Sequence, residues 1–148
     1  MPDELKTTSC GGNCRCRRQT ERPPAELPLL LIVDDDEDFL DTLREALEQT
    51  GACRVVTATS AAEALQQLRE HEPVAVLTDH YMPRRTGTGL LADLKERFPR
   101  IRRLLMSGRA TKTVLASAIN RAEVQHYVPK QMRPALLIDA VTRQLSQL

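Results

Sequence analysis

No apolar run in these 148 residues is longer than about seven, and the longest contains Pro28. A bilayer-spanning helix needs about 20 such residues, so no membrane association is expected. Met1 to Lys6 lack the charged-then-apolar layout of a secretory signal. A cytoplasmic chain with reduced thiols is the simplest expectation. A basic excess is missing too. The 21 Lys and Arg stand against 20 Asp and Glu, a formal net charge of +1, whereas general nucleic-acid and membrane-surface binders carry a strong positive excess. Direct nucleic-acid binding is therefore not expected. Thiols paired at C-x2-C spacing, the mark of a structural zinc site, are also missing. Cys10, Cys14 and Cys16 are spaced C-x3-C-x-C, and Cys53 stands apart at the start of an apolar run. A metal shared between chains, redox sensing and acylation are all open to three such thiols. The expectation is an unstructured tail without thiol chemistry, with Cys53 a small buried hydrophobe. There is no internal repeat.

What is there suits one globular domain: 41% hydrophobic and 28% charged residues in a length that supports a single core. Residues 1–27 differ from the rest. They hold the three clustered cysteines and Arg22-Pro23-Pro24 without helical or strand periodicity, and read as a flexible tail ending in a proline linker. Residues 28–148 alternate short apolar runs with amphipathic stretches. Strands are expected over 29–33, 54–58, 74–78, 101–106 and 126–128. Helices are expected over 37–49, from Ser60-Ala61-Ala62-Glu63 (a capping box), over 88–97, over 112–121 and from Pro134. In the fourth helix Val114, Leu115, Ala118 and Ile119 are expected to face the core. Strict βα alternation with right-handed crossovers predicts an α/β fold. Its doubly wound, five-stranded parallel sheet would have the flavodoxin-like order 2-1-3-4-5.

In that order strands one and three are neighbours, and both end in acids. Leu29-Leu30-Leu31-Ile32-Val33 runs into Asp34-Asp35-Asp36, and Val74-Ala75-Val76-Leu77-Thr78 ends in Asp79, 45 positions after Asp34. The carboxyl edge of such a sheet is where ligands bind. Converging carboxylates repel one another and raise each other's pKa unless a cation neutralises them. An oxygen-rich, thiol-free cluster suits Mg²⁺, and a hard metal beside a lone aspartate is a phosphoryl-transfer arrangement.

With these motifs in place, residues 28–148 resemble the receiver domain of two-component response regulators (CheY-like). Val33-Asp34-Asp35 matches the family's acidic pair. Asp79-His80-Tyr81-Met82-Pro83 with Gly87 matches its phosphoacceptor segment. Ser107 and Lys130 fall where the family has a hydroxyl residue ending strand four and a lysine past strand five. The resemblance implies that Asp79 takes a phosphoryl group from a sensor histidine kinase or a histidine phosphotransfer protein. It implies Mg²⁺ on Asp34, Asp35, Asp79 and the Tyr81 backbone carbonyl, with Lys130 and Ser107 contacting the phosphate. Gly108 would keep the approach open, and Tyr127 would be the switch aromatic. The output would be docking of a downstream protein, or self-association, through helix four, strand five and helix five. Because no helix-turn-helix or enzymatic segment follows helix five, the expectation is a stand-alone signalling module and not an enzyme.

Plainer readings stand beside these. Asp36 reads as a helix N-cap and Tyr127 could be a core aromatic. His71 and His80 read as exposed loop residues, and His126 as a strand residue. Arg100, Arg102 and Arg103 read as a solvated approach to strand four. A phosphorylation-independent interaction module is an alternative function. A Mg²⁺-dependent hydrolase with an aspartyl nucleophile is a weaker one, because the fourth position after Asp34 is acidic where that family wants Thr or Val. One departure from the resemblance is Lys130-Gln131, where the family usually has proline after a cis bond. A cis bond before a non-proline residue costs roughly 3 kcal/mol. A trans bond is therefore expected, with Lys130 still reaching Asp79 and phosphorylation kept but slower, or less tightly coupled to Tyr127.

Overall fold

The structure, a computed structural model, describes residues 27–108, 111–130 and 134–147. The tail with Cys10, Cys14 and Cys16 and the Lys130–Gln131 bond lie outside the described residues. Five strands and five helices alternate: β1 (Leu29–Val33), α1 (Glu37–Gln49), β2 (Arg54–Ala58), α2 (Ala61–Glu70), β3 (Ala75–Asp79), α3 (Gly87–Arg97), β4 (Arg102–Ser107), α4 (Lys112–Ala122), β5 (His126–Pro129) and α5 (Pro134–Ser146). The strands pair in the order β2-β1-β3-β4-β5, all parallel. This is the 2-1-3-4-5 sheet expected from the alternation.

Local chemistry sets the helix starts. The Asp36 carboxylate accepts from the Phe39 N–H at 3.2 Å and caps α1. The Ser60 hydroxyl accepts from the Glu63 N–H and caps α2. The Glu63 carboxylate reaches back to Thr59 instead of Ser60, so the capping box is displaced by one residue. Thr86 caps α3 and Thr111 caps α4 in the same manner.

Helices cover both faces of the sheet and split the core in two. Leu30, Ile32, Leu77, Leu104 and Met106 turn toward α1 and α5, which contribute Leu40, Leu43, Leu47, Leu137, Val141 and Leu145. Leu31, Val33, Val76 and Leu105 turn to the other face and meet α2, α3 and α4. Alternate residues of one strand thus serve opposite cores, which is why β1 and β3 read as unbroken apolar runs.

Three expectations need correction. The third and fourth strands start and end one residue later than the apolar runs suggest, so Asp79 and Ser107 are the last strand residues. Val74 and Ile101 flank the ladder: Val74 N–H bonds Leu29 O, and Ile101 N–H bonds Phe98 O. Ile119 is not a core residue but is 62% exposed. On α4 the small pair Ala118 and Ala122 is buried against its neighbours, which rotates Ile119 outward. Arg103 is not solvated either; it is 4% exposed. Its guanidinium donates to Ala122 O at 2.7 Å, Ile101 O at 3.0 Å and Pro99 O at 3.3 Å. Burial lowers its pKa, and the Glu123 carboxylate partly offsets this. Arg102 is half-buried with a bond to Gln144, and Arg100 is exposed as expected.

Candidate functional site

The register of the parallel strands builds the site. Val33 lies opposite Thr78, Asp79 opposite Met106, and Ser107 opposite Pro129. The residues at or just past these positions, Asp34, Asp79, Ser107 and Lys130, therefore share one carboxyl edge. Ligand oxygens of Asp34, Asp35 and Asp79, one from each, lie within 4.8 Å of one another. Asp34 has no exposed surface and Asp79 is 5% exposed, while Asp35 is open to solvent.

Lys130 leans over this cluster. Its ammonium lies 2.6 Å from Asp34 Oδ2 and 3.5 Å from Asp79 Oδ2. Asp34 Oδ1 accepts from the Asp36 N–H at 3.0 Å. Asp34 Oδ2 is buried and, despite the nearness of the ammonium, receives no properly directed hydrogen bond among the described residues. The 2.6 Å approach of the ammonium is therefore an ion-pair contact, which supplies charge to that oxygen. A fully buried carboxylate oxygen in this condition, beside two further carboxylates, is a fitting ligand for a hard divalent cation such as Mg²⁺.

Burial raises the pKa of Asp34 above its ordinary value; the adjacent Lys130 ammonium and the Asp36 N–H pull it back only in part. Burial likewise raises Asp79, opposed by Lys130 and by the Tyr81 N–H, with Asp35 adding to the rise. For Lys130 burial favours the neutral amine, but the two adjacent carboxylates of Asp34 and Asp79 outweigh it and the pKa rises. The ammonium is thus held charged beside two carboxylates that burial alone would neutralise.

Gly87 shows how tightly the phosphoacceptor-like segment is folded. A Cβ at this position would fall far inside van der Waals contact distance of the Asp79 carbonyl oxygen. Without one, the start of α3 closes onto the end of β3, and Gly87 N–H bonds His80 O at 2.9 Å. His80 is not an exposed loop residue. It is 9% exposed, with Nδ1 2.8 Å from the Thr88 hydroxyl and its ring edge-on to Tyr81 at 4.7 Å. Burial lowers its pKa, against the pull of Asp79. Nothing local in the sequence marked this buried polar pair, because a histidine after a loop-bound aspartate reads as solvated. Cys53 is buried as expected, at 2% exposure, and burial with the nearby Glu48 pushes its thiol up to about 11.

Ser107 is fully buried at the end of β4. Its carbonyl accepts from the Lys130 N–H at 3.0 Å and from the Tyr127 hydroxyl at 2.9 Å. Tyr127 is half-buried and lines a hollow of about 290 Å³ with Leu115, Ile119, Val124 and His126. Tyr81 is exposed, and Tyr127 and Ser107 meet across the β4–β5 edge.

A family model described as the response regulator receiver domain matches residues 30–142. The chain belongs to this family.

Similar curated proteins agree with that membership. The hydrogenase transcriptional regulatory protein HoxA of Cupriavidus necator is 35% identical over 112 residues, covering 76% of this chain and 23% of HoxA. The transcriptional regulatory protein CitT of Bacillus subtilis is 30% identical over 102 residues, 68% of this chain and 45% of CitT. The receiver thus spans less than half the length of these relatives. Among solved structures, a CheY-like response regulator receiver domain protein of Methanospirillum hungatei superposes with a TM-score of 0.76 at 28% identity, covering 82% of this chain and 96% of the other. Receiver domains are signalling modules of two-component systems, in which phosphorylation and Mg²⁺ binding at an acidic pocket are typical. The acidic pocket here is the cluster of Asp34, Asp35 and Asp79. No described helix is long and apolar enough to cross a membrane.

Proposed function

We propose that this receiver is phosphorylated on Asp79 and signals by a phosphorylation-dependent change in protein binding. The observation that carries this reading is the Lys130 ammonium standing over the Asp34–Asp79 pair, 2.6 Å from one carboxylate and 3.5 Å from the other. A carboxylate oxygen of Asp79 attacks the phosphorus of a phosphohistidine on a sensor kinase or a histidine phosphotransfer protein. The P–O bond forms as the P–N bond breaks, and the imidazole leaves with the electron pair and takes a proton from water. Charge builds on the equatorial oxygens, and a fixed cation there lowers the barrier without reorganisation. Lys130 is that cation, and the Ser107 hydroxyl donates to a phosphoryl oxygen. Asp34, Asp35, Asp79 and the Tyr81 carbonyl would hold Mg²⁺, which neutralises the negative charge brought together by the carboxylates and the phosphoryl group.

The bond from Tyr127 to the Ser107 carbonyl supports a switch role for Tyr127. A movement of Ser107 toward a phosphoryl group would pull on the ring and on the hollow it lines. Ile119 and Leu136 are exposed on α4 and α5, giving this side apolar groups for a downstream partner or a second copy.

Incubation with Mg²⁺ and acetyl phosphate is expected to add one phosphoryl group, seen by intact mass in acidic conditions that spare the acyl phosphate. Asp79→Asn and chelation should both abolish it; undiminished labelling of Asp79→Asn would sink the assignment. Hydrogen exchange over residues 108–140 should change on phosphorylation, and identical exchange would favour a phosphorylation-independent interaction module.

A further inference from the structure

The Lys130 ammonium has a third neighbour. It lies 4.6 Å from the centroid of the Phe39 ring, inside the roughly 6 Å range over which the negative face of an aromatic ring attracts a cation. Phe39 sits in the first turn of α1, whose start is set by the Asp36 cap on the Phe39 N–H itself. The ring packs against the core cluster of Leu30, Ile32 and Leu40. Its place is therefore set by the helix start and the core, independently of Lys130. The lysine, by contrast, reaches the site on a flexible four-carbon stem that must be held at several points.

The ammonium lies unevenly between the carboxylates, nearer to Asp34 than to Asp79. A phosphoryl group on Asp79 needs the charge on the Asp79 side. The ring attracts the cation through its face and offers no lone-pair acceptor. It can hold the charge over the pair without competing with Asp34, Asp79 or a phosphoryl oxygen for a directed N–H.

We infer that Phe39 is a positioning residue for phosphoryl transfer, holding the Lys130 ammonium over the Asp34–Asp79 pair through its ring face. This rests on the reading of Asp79 as phosphoacceptor. A leucine at position 39 would still pack against the core but could not attract the cation, whereas a tyrosine keeps the ring.

The test compares wild type with Phe39→Leu and Phe39→Tyr. In metal-free protein, NMR of the Lys130 ε-methylene protons should show an upfield ring-current shift in wild type and Phe39→Tyr that is lost in Phe39→Leu. At saturating Mg²⁺ and acetyl phosphate, Phe39→Leu should be phosphorylated about three- to tenfold more slowly, with the rate restored in Phe39→Tyr. Wild-type labelling with an undiminished rate in Phe39→Leu overturns the inference and leaves the phosphoacceptor reading standing. Equal slowing in both variants also overturns it, because the ring would then matter only through packing. A wild-type chain that takes up no phosphoryl group removes the phosphoacceptor reading and this inference with it.

Discussion

Asp34 carries a charge with no exposed surface, and its surroundings compensate that burial only partly. Its folded pKa lies above the ordinary 3.8. As pH climbs from 3.8 through the raised value, the unfolded chain gives up its proton first, so stability falls across that window. The full cost remains above it. Asp79 behaves the same way. The sign is opposite for Lys130, whose raised pKa contributes stability throughout neutral pH, lost only as pH climbs above 10.5 toward the raised value. Asp34→Asn is therefore expected to melt higher than wild type at neutral pH in chelator, by roughly 3–8 °C. The gain should shrink as pH is lowered toward 3.8. A variant that melts lower at neutral pH would show that the ion pair with Lys130 outweighs the burial. The acids of this site were legible because each ends an apolar run. Phe39 beside Lys130 was not, since its spacing along α1 marks it equally well as a core residue.

At the scale of elements, the lower end of the sheet depends on one buried cation. Arg103, in β4, ties the end of α4 and the α3–β4 connection together through the carbonyls of Ala122, Pro99 and Ile101. These acceptors are satisfied by a charged donor that no other described residue replaces in those bonds. Arg103→Leu should fill similar space yet strand them, at a cost of about 2–4 kcal/mol, read from the urea midpoint and slope. A loss below about 1 kcal/mol would mean that water reaches the carbonyls instead. The end of α4 was not marked by a glycine either. Glu123 takes the left-handed conformation there, with φ 48°, returns its N–H to Ala118 O and pairs with Lys95 at 2.8 Å. Helix starts were easier to read than this helix end, because a side-chain cap is written in one residue type, whereas a left-handed stop on glutamate depends on contacts from α3.

For the whole molecule, every described core residue lies between Leu29 and Leu145. Leu27 meets the domain through its carbonyl, which accepts from Arg54 Nε at 3.4 Å, and Pro28 O accepts from the Arg54 N–H. A chain lacking residues 1–25 keeps both bonds. It should melt within about 2 °C of the full chain and accept a phosphoryl group on Asp79 at the same rate. A large loss of melting temperature would assign those residues a share in the fold. Bound zinc or iron found only in the full chain would assign a function to Cys10, Cys14 and Cys16.

The alternation of apolar runs with amphipathic stretches was enough to specify five strands, five helices and the order β2-β1-β3-β4-β5, because chain connectivity and handedness leave few other ways to bury both faces of a parallel sheet. The same runs, each stopped by an acid, placed Asp34 and Asp79 on one edge. Other features came only from the packed structure: the burial of His80 with Thr88, the inward guanidinium of Arg103, the outward turn of Ile119, and the meeting of Phe39 with Lys130. Periodicity reports which side of an element is apolar. How far each helix is rotated against its neighbours, and what a long side chain finds at the far end of its reach, depend on contacts between residues distant in sequence, here 91 positions apart for Phe39 and Lys130.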